Sequence, residues 1–406
     1  MKRQGCDVLV VGGGPAGILA AYHAAKAGAT VILVDVRPVP GEKIALSGGG
    51  RCNILPTLSA PEDYTTSSSR HTMRKILLSW PLDEVRVFLE SVAGIRLVEQ
   101  KRTGRVFPAA GGGEGVRERL LVMLRRSGVR LIPQTKVVDI EPDERRRVRV
   151  ESGPGFVAER VVLATGGLSY PRTGCDGLGF RVAERLGHAV VSPYPALVPL
   201  RGAESRHAVL AGIALRARLD AGSGRERQVF EGDFLFTHAG YSGPVVMNAA
   251  HHASRTQDGP RRAPLRVAWL ARDAEEWDAV LSSSRGTLRG ALKAQLPDRW
   301  VDVLLKELGL WGAEMGTLNG LDRARVLSAL SAYELPWMRA GGYGEAEVTG
   351  GGVALSDVDV KTLQSRKVPC LYFCGETLDA FGPIGGHNFL WAFVTGRLAG
   401  RGAAAS

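Results

Sequence analysis

Three glycines, Gly12, Gly14 and Gly17, fall at the spacing G-x-G-x-x-G, and a carboxylate, Asp35, follows 18 residues after the last of them. Such a set binds a dinucleotide. The first glycine turns the chain sharply, the second lets backbone approach a pyrophosphate, and the third lets helix and strand pack closely. An acid at the end of the next strand accepts hydrogen bonds from a ribose. A second set could act on a substrate. His387, His238 and Tyr170 are the side chains able to hold or give a proton beside a cofactor, although each also fits a structural role. Cys52 is a thiol in a glycine-rich turn, where packing or hydrogen bonding is the expected role rather than redox chemistry. His251 and His252 are adjacent but lack partners at ligand spacing, so no metal is expected.

The elements that must position these groups follow from hydropathy and glycine placement. Residues 8–11 are an apolar, mostly β-branched run that reads as a strand. Residues 15–27, opening with Pro15 and Ala16, are an alanine-rich helix whose free N–H groups would face phosphates, and 30–34 is a second strand ending at Asp35. Residues 37–43 and 57–75 read as loops, 82–92 and 115–127 as helices, and 95–99, 129–133 and 136–140 as strands. A hairpin is expected over 147–151 and 156–159, then a separate buried strand over 161–163 ending in Ala164, Thr165, Gly166 and Gly167, then a helix over 176–186. Prolines at 193, 195 and 199 mark a boundary. Beyond it come strand-like runs at 213–219, 228–230, 234–237 and 265–270, then helical patterning over 285–332. A last strand, 370–376, and a last helix, 389–398, close the chain. The division expected is 1–194, an insert over 195–340, and a return over 341–406.

The run Ser47-Gly48-Gly49-Gly50-Arg51-Cys52-Asn53, after a dinucleotide start and Gly41-Glu42-Lys43, resembles the BaiN-like bacterial FAD flavoproteins, which include a bile-acid enone reductase and relatives described as aminoacetone oxidases. Further stretches resemble the same family: 161–187, 232–244 and 345–399. The resemblance implies an α/β fold, a glutathione-reductase-type FAD-binding Rossmann domain interrupted by an inserted β subdomain with a helical piece. It implies that Lys43, Ser47, Gly49, Gly50, Arg51, Cys52 and Asn53 lie along FAD, and that Val137 offers backbone to the adenine. It also implies that Ala164, Thr165 and Gly166 pass close to the dinucleotide and that Gly375 and Glu376 meet the ribityl chain. Gly385, Gly386, His387, Asn388 and Phe389 would open a helix at the flavin, with His387 where members often carry Tyr. A helix start there could stabilise negative charge on a reduced flavin.

Only one fingerprint is present, so NAD(P)H would bind transiently, without a Rossmann site of its own. The activity implied is that of an FAD-dependent oxidoreductase moving hydride at flavin N5, as an NAD(P)H-linked reductase of a small or medium organic substrate such as a conjugated enone. Two alternatives stay open: an oxygen-using amine oxidase and, from charge alone, a flavin-bearing RNA-binding or regulatory protein.

Composition sets the outer limits. At 406 residues, 45% hydrophobic and 23% charged, the chain suits two or three globular domains. No apolar run reaches membrane-spanning length, and the run after Met1 is broken by the phosphate-turn glycines, unlike a signal peptide. The net charge is +11, carried by 42 arginines and 10 lysines scattered among groups such as Arg125, Arg126 and Arg145 to Arg147. Scatter without aromatic interleaving suggests a solvated surface rather than a nucleic-acid partner. Five dispersed cysteines suggest a reducing, cytoplasmic setting. No sequence feature specifies an oligomeric state.

Overall fold

The computed structural model describes residues 4–101, 103–141, 147–202 and 205–405; Arg145 and Arg146 lie outside them. The chain divides into two compact units, residues 1–194 with 347–406, and residues 195–346.

In chain order the first unit opens with β1 (Gln4–Val11), α1 (Pro15–Lys26), β2 (Val31–Val34), α2 (Glu42–Leu46) and β3 (Leu55–Pro56). It continues through α3 (Arg70–Leu77), α4 (Leu82–Ser91), β4 (Leu97–Gln100), β5 (Arg105–Pro108) and α5 (Gly112–Arg126). Then come β6 (Arg130–Ile132), β7 (Val137–Glu141), β8 (Arg147–Val150), β9 (Phe156–Leu163), α6 (Leu178–Arg185) and β10 (Val190–Ala196). The second unit holds β11 (Leu200–Gly202), β12 (Ala214–Ala221), β13 (Gln228–Thr237), β14 (Gly240–Ser242), α7 (Pro244–Thr256) and β15 (Leu265–Trp269). It is completed by α8 (Ala274–Ser283), α9 (Leu288–Lys293), α10 (Asp298–Leu308), α11 (Gly320–Ser331), β16 (Tyr333–Glu334) and β17 (Trp337–Ala340). The first unit resumes with β18 (Val348–Val353), β19 (Leu371–Phe373) and α12 (His387–Ala405).

The parallel core of unit 1 runs β6-β2-β1-β9, with β19 on the far side of β9. Val8 to Val11 are buried on both faces because helices cover the sheet, so the strand is a continuous apolar run rather than an alternation. β9 is one strand where the sequence suggests a hairpin arm and a separate strand. Its first residues pair antiparallel with β8 and alternate in burial, whereas its last three are wholly buried between β1 and β19. The change of pattern within one strand mimics a break. A helix, α3, also replaces part of the loop expected over 57–75. Ser69 accepts the Thr72 N–H at its start, and only Met73, Ile76 and Leu77 face inward, a stripe hidden among polar neighbours.

Unit 2 is a seven-stranded sheet ordered β16-β15-β12-β13-β14-β11-β17, with antiparallel pairs throughout. The two runs expected at 228–230 and 234–237 are one strand, β13, whose middle, Glu231-Gly232-Asp233, looks like a turn in sequence. Gly232 sits there because α7 crosses it, with the Val245 nitrogen 3.5 Å from where its Cβ would be. No element was expected at α7, which buries Val245, Val246, Ala249, Ala250 and Ala253. Trp269, Trp277 and Trp300 fill this core. Among the described residues of either unit, no helix is long and apolar enough to cross a membrane.

Two helices of unit 1, α1 and α12, pack backbone against backbone. A Cβ at Gly396 would lie under 3.0 Å from the Ala16 carbonyl, and one at Gly400 equally close to that of Ala20. Gly400→Val should therefore cost about 3 kcal/mol, as overpacking against fixed backbone does. Gly320→Ala, where a Cβ meets nothing within 4 Å, should change stability by less than about 0.5 kcal/mol. Urea unfolding of the two variants checks the contrast, and equal midpoints would refute it.

Candidate functional site

Unit 1 gathers the residues singled out in the sequence into three groups. The first surrounds the glycine turn. A side chain at Gly12, whose φ is 103°, would strike the Ala164 carbonyl, and one at Gly17 would strike that of Gly12, so β1, α1 and the end of β9 meet backbone to backbone. Gly14, by contrast, faces open space. It is the N-cap of α1, Pro15 follows, and the Ala16 and Gly17 N–H groups precede any intrahelical carbonyl. Asp35 closes the group: Oδ2 accepts the Gly13 N–H at 2.6 Å and Oδ1 the Arg37 N–H at 2.7 Å. Burial raises its pKa, and those two N–H groups, with the nearby Arg37 charge, act against the rise. The Thr165 hydroxyl is buried without a partner among the described residues, and Thr377 donates to the Gly166 carbonyl at 3.2 Å. Open space at Gly14, unpaired N–H groups and an orphaned hydroxyl fit the diphosphate portion of FAD.

The second group is a buried ion pair. Lys43 Nζ lies 2.7 Å from Glu376 Oε2 and donates to Ser169 Oγ at 2.5 Å; Ser169 in turn donates to Glu376 Oε1 at 2.6 Å, and Thr349 N–H donates to the same oxygen at 2.9 Å. The side chains are 24% and 17% exposed, too buried for solvent to screen the pair fully. Burial alone would raise the pKa of Glu376, but Lys43 and the hydroxyl donors overcome it and hold the carboxyl below its usual range. Burial likewise works against charge on Lys43, and Glu376 reverses the effect, so the ammonium is held above its usual range. Thr349 Oγ1 also accepts the Leu168 and Ser169 N–H groups, at 2.8 and 3.0 Å. Ser169 and Thr349 were not singled out as site residues, though both lie in stretches that carry the family resemblance. Glu347 was also missed. It is half-buried two residues before Thr349, and its only signal was a carboxylate alternating with a threonine ahead of a glycine run. Burial raises its pKa, and Lys43 opposes the rise. Tyr170 stands in the same loop as Ser169, at φ 51°.

The third group is the turn before α12. Asn388 Nδ2 donates to the Gly382 carbonyl at 2.9 Å and its Oδ1 accepts the Gly382 N–H at 3.0 Å, which locks the turn. Gly386 lies against the backbone of Leu55, and Asn53 reaches that strand by donating to the Leu55 and Val106 carbonyls at 3.2 and 3.3 Å. Gly385 is at φ 129° and Phe389 packs on Phe393. His387 is half-buried, with Nδ1 without a hydrogen-bond partner among the described residues and Nε2 3.8 Å from Asp63 Oδ2. Burial lowers its pKa to about 4 despite Asp63, so the imidazole is neutral at neutral pH. At neutral pH it is thus an uncharged group able to make hydrogen bonds, not a cation. Gly375 is fixed to α12, its N–H donating to Thr395 Oγ1 at 2.9 Å and its carbonyl accepting the Trp391 indole N–H at 3.1 Å, and it lies against α1, where a Cβ on it would be 2.7 Å from that of Ala16.

The glycine-rich loop joins these groups as a tight helical turn with Gly48 and Gly49 at positive φ. Gly49 and Gly50 are exposed, and no atom lies within 4 Å of a Cβ built on Gly49. Ser47 Oγ donates to the Ile44 carbonyl at 2.8 Å. Arg51 stands over the Phe107 ring at 5.5 Å. Cys52 is buried, and burial pushes its thiol to about 11, a protonated group unsuited to redox attack. Val137 begins β7, opposite Val150. His238 lies in unit 2, on the exposed turn between β13 and β14. His251 and His252 both point Nε2 at the Gln228 side-chain oxygen, at 3.0 and 2.9 Å.

The profile of the family described as HI0933-like protein Rossmann domain matches residues 6–402. The ribosomal RNA dihydrouridine synthase of Escherichia coli K12 is 31% identical over 396 residues, 95% of each chain. The 3-dehydro-bile acid delta(4,6)-reductase of Clostridium scindens is 29% identical over 408 residues, covering 97% of this chain and 98% of its own. Among solved structures, a 3-ketosteroid-delta4-(5alpha)-dehydrogenase from Rhodococcus jostii RHA1 superposes with a TM-score of 0.52 at 15% identity, over 99% of this chain and 97% of that one, a likeness of fold.

Two outcomes follow from the electrostatics. Lys43→Met leaves the Glu376 carboxylate buried and unpaired, which should cost roughly 3–5 kcal/mol and weaken flavin retention on gel filtration; a variant that keeps wild-type stability and flavin content would refute the role of the pair. Four histidines, His23, His251, His252 and His387, have pKa values lowered chiefly by burial to about 3, 3, 4 and 4. The unfolded chain takes their protons from about pH 6.5 downward while the folded chain refuses them until about 4, so stability is present above that window and falls within it. Each histidine contributes up to roughly 1.4 kcal/mol per pH unit. Urea midpoints at pH 7 and pH 5 should differ; equal midpoints would refute the assignment.

Proposed function

Because the chain belongs to the HI0933-like protein Rossmann-domain family, we propose that it adds hydrogen across a carbon–carbon double bond conjugated with a carbonyl, taking the electrons from NAD(P)H through FAD. The chain is an FAD-dependent oxidoreductase; the substrate class and the reductant are the proposal. The observation that carries it is the chemistry shared by two relatives aligned along at least 95% of this chain. A dihydrouridine synthase saturates the 5,6 bond of uracil, conjugated with the C4 carbonyl. A delta(4,6)-reductase of a 3-dehydro bile acid acts on double bonds conjugated with the C3 ketone.

When bound, FAD supplies the electron pair that reaches the carbon β to the carbonyl. The chain's own residues do the rest. Gly12, Gly14, Pro15, Ala16 and Gly17 would seat the diphosphate, and Asp35, held by two backbone N–H groups, would meet the adenosine ribose. The Lys43–Glu376 pair would fix the loops around the ribityl chain. The neutral His387, at the start of α12, would leave that helix end as the positive pole near the flavin.

Although its scatter along the sequence suggests a solvated surface, the uneven division of the basic charge between the units supports an RNA uracil over a steroid within this chemistry. Unit 1 holds 33 basic and 24 acidic residues, a net +9, whereas the insert holds 19 and 17, a net +2. An uneven excess of that kind suits a polyanion.

The purified yellow protein should be bleached anaerobically by NADPH or NADH. Its colour should return on adding a uridine-containing ribosomal RNA transcript, in a salt-dependent manner, or a 3-oxo-4,6-diene bile acid. Recovery with the bile acid alone would assign the steroid class. Bleaching by a primary amine but by neither nicotinamide would overturn the reading.

A further inference from the structure

Three separate stretches of unit 1 reach the Glu376 carboxylate: α2 through Lys43, the loop after β9 through Ser169, and β18 through Thr349. Thr349 differs from the other two because it grips backbone as well. Its Oγ1 accepts the Leu168 N–H at 2.8 Å and the Ser169 N–H at 3.0 Å, while its own N–H donates to Glu376 Oε1 at 2.9 Å. A hydroxyl has two lone pairs and one proton. With both lone pairs taken by N–H groups, the proton is left to donate, and Thr349 is among the groups that hold the Glu376 carboxylate charged. Thr349 is 1% exposed and Ser169 is fully buried, so water does not stand in for this contact.

The loop rides directly on that hydroxyl. A Cβ on Gly167 would stand 2.4 Å from Thr349 Oγ1 and 2.8 Å from Glu376 Oε1, so no side chain fits between them. Where Thr349 holds the loop decides whether Ser169 can both donate to Glu376 Oε1, at 2.6 Å, and accept from Lys43 Nζ, at 2.5 Å. The far end of β18 is fastened by other means. The Asp379 N–H donates to the Val353 carbonyl at 2.9 Å, and Leu378 pairs with Val353. Removing the Thr349 hydroxyl therefore frees the 167–169 loop and leaves the end of β18 in place. Asp35, in the glycine-turn group, is held by the Gly13 and Arg37 N–H groups, which are outside this network.

We propose that Thr349 is a positioning residue for the flavin half of the cofactor: its hydroxyl sets the 167–169 loop so that Ser169 and Lys43 hold Glu376 at the ribityl chain. The adenosine and diphosphate half is seated without it. This rests on the seating of FAD proposed above, with Gly12, Gly14, Gly17 and Asp35 at one end and Glu376 at the other. Thr349 touches the cofactor only through the groups it places. Its effect is therefore confined to ligands that carry the ribityl chain.

The test titrates the flavin-free full chain with FAD and with ADP, which carries the adenosine and diphosphate part alone. Thr349→Val removes the hydroxyl and leaves the Leu168 and Ser169 N–H groups without their acceptor. Its dissociation constant for FAD should rise roughly 10- to 100-fold, while that for ADP should stay within about twofold of the wild type. Thr349→Ser, which keeps the hydroxyl, should bind both ligands as the wild type does. Ser169→Ala should also weaken FAD alone, and the T349V/S169A double variant should lose less than the two single losses combined, because one residue acts through the other. Wild-type FAD affinity in T349V, a T349S variant as weak as T349V, additive losses in the double variant, or loss of FAD, ADP and folded structure together would each overturn the assignment while leaving the seating of FAD intact. If ADP does not compete with FAD for the wild-type chain, the seating itself falls and the role of Thr349 with it.

Discussion

Unit 1 depends on a steric constraint: four places where two backbones touch with no side chain between them. Gly12 meets the end of β9, Gly17 meets Gly12, and Gly396 and Gly400 let α12 lie against the carbonyls of α1. Each contact leaves less than the width of a methyl group. Together they clamp α1 between the sheet and the last helix, and so fix where its first N–H groups point. Dispersion and apolar burial supply the attraction, while the glycines decide the distance at which it acts.

Electrostatic order is built on that frame. The clamp brings Gly375 under α1 and sets the neighbouring Glu376 among Lys43, Ser169 and Thr349, a carboxylate whose partners come from three separate stretches of chain. The ion pair is therefore less a source of stability than a device for registering loops, because desolvation offsets much of its attraction. The same dry interior acts in the opposite sense on histidine. His387 stays neutral at the start of α12, so the helix end rather than a formal charge sets the local potential.

The sequence made legible whatever depends on local rules. The first strand, helix and second strand follow from hydropathy and glycine spacing, and the fold class follows from these and from the resemblance at residues 47–53. Elements whose character is set by distant neighbours were misread. β9 was divided because its two halves lie in different surroundings, and β13 because a glycine required by α7 looked like a turn. α3 was missed because its buried stripe is only three residues wide. In the site, backbone-defined positions such as Gly12, Gly14 and Asp35 fell together as the pattern requires. Partners that exist only through tertiary contact, among them Ser169 and Thr349 around Glu376, leave no spacing rule to find. Nor does spacing reveal that His387 is too dry to take up a second proton and become charged at neutral pH.

The pairing of β9 with β19 has a consequence for how the protein is made. Leu163 and Phe373 lie side by side although 210 residues separate them, and α12, which completes the clamp on α1, follows both in the chain. During synthesis the dinucleotide fold must stay open, with β9 lacking a neighbour and α1 uncovered, until the whole insert has left the ribosome. The insert's own sheet closes on segments already made. The order of maturation therefore inverts the order of the sequence: the middle of the chain can settle first, and the cofactor cradle, begun at the first strand, is finished last.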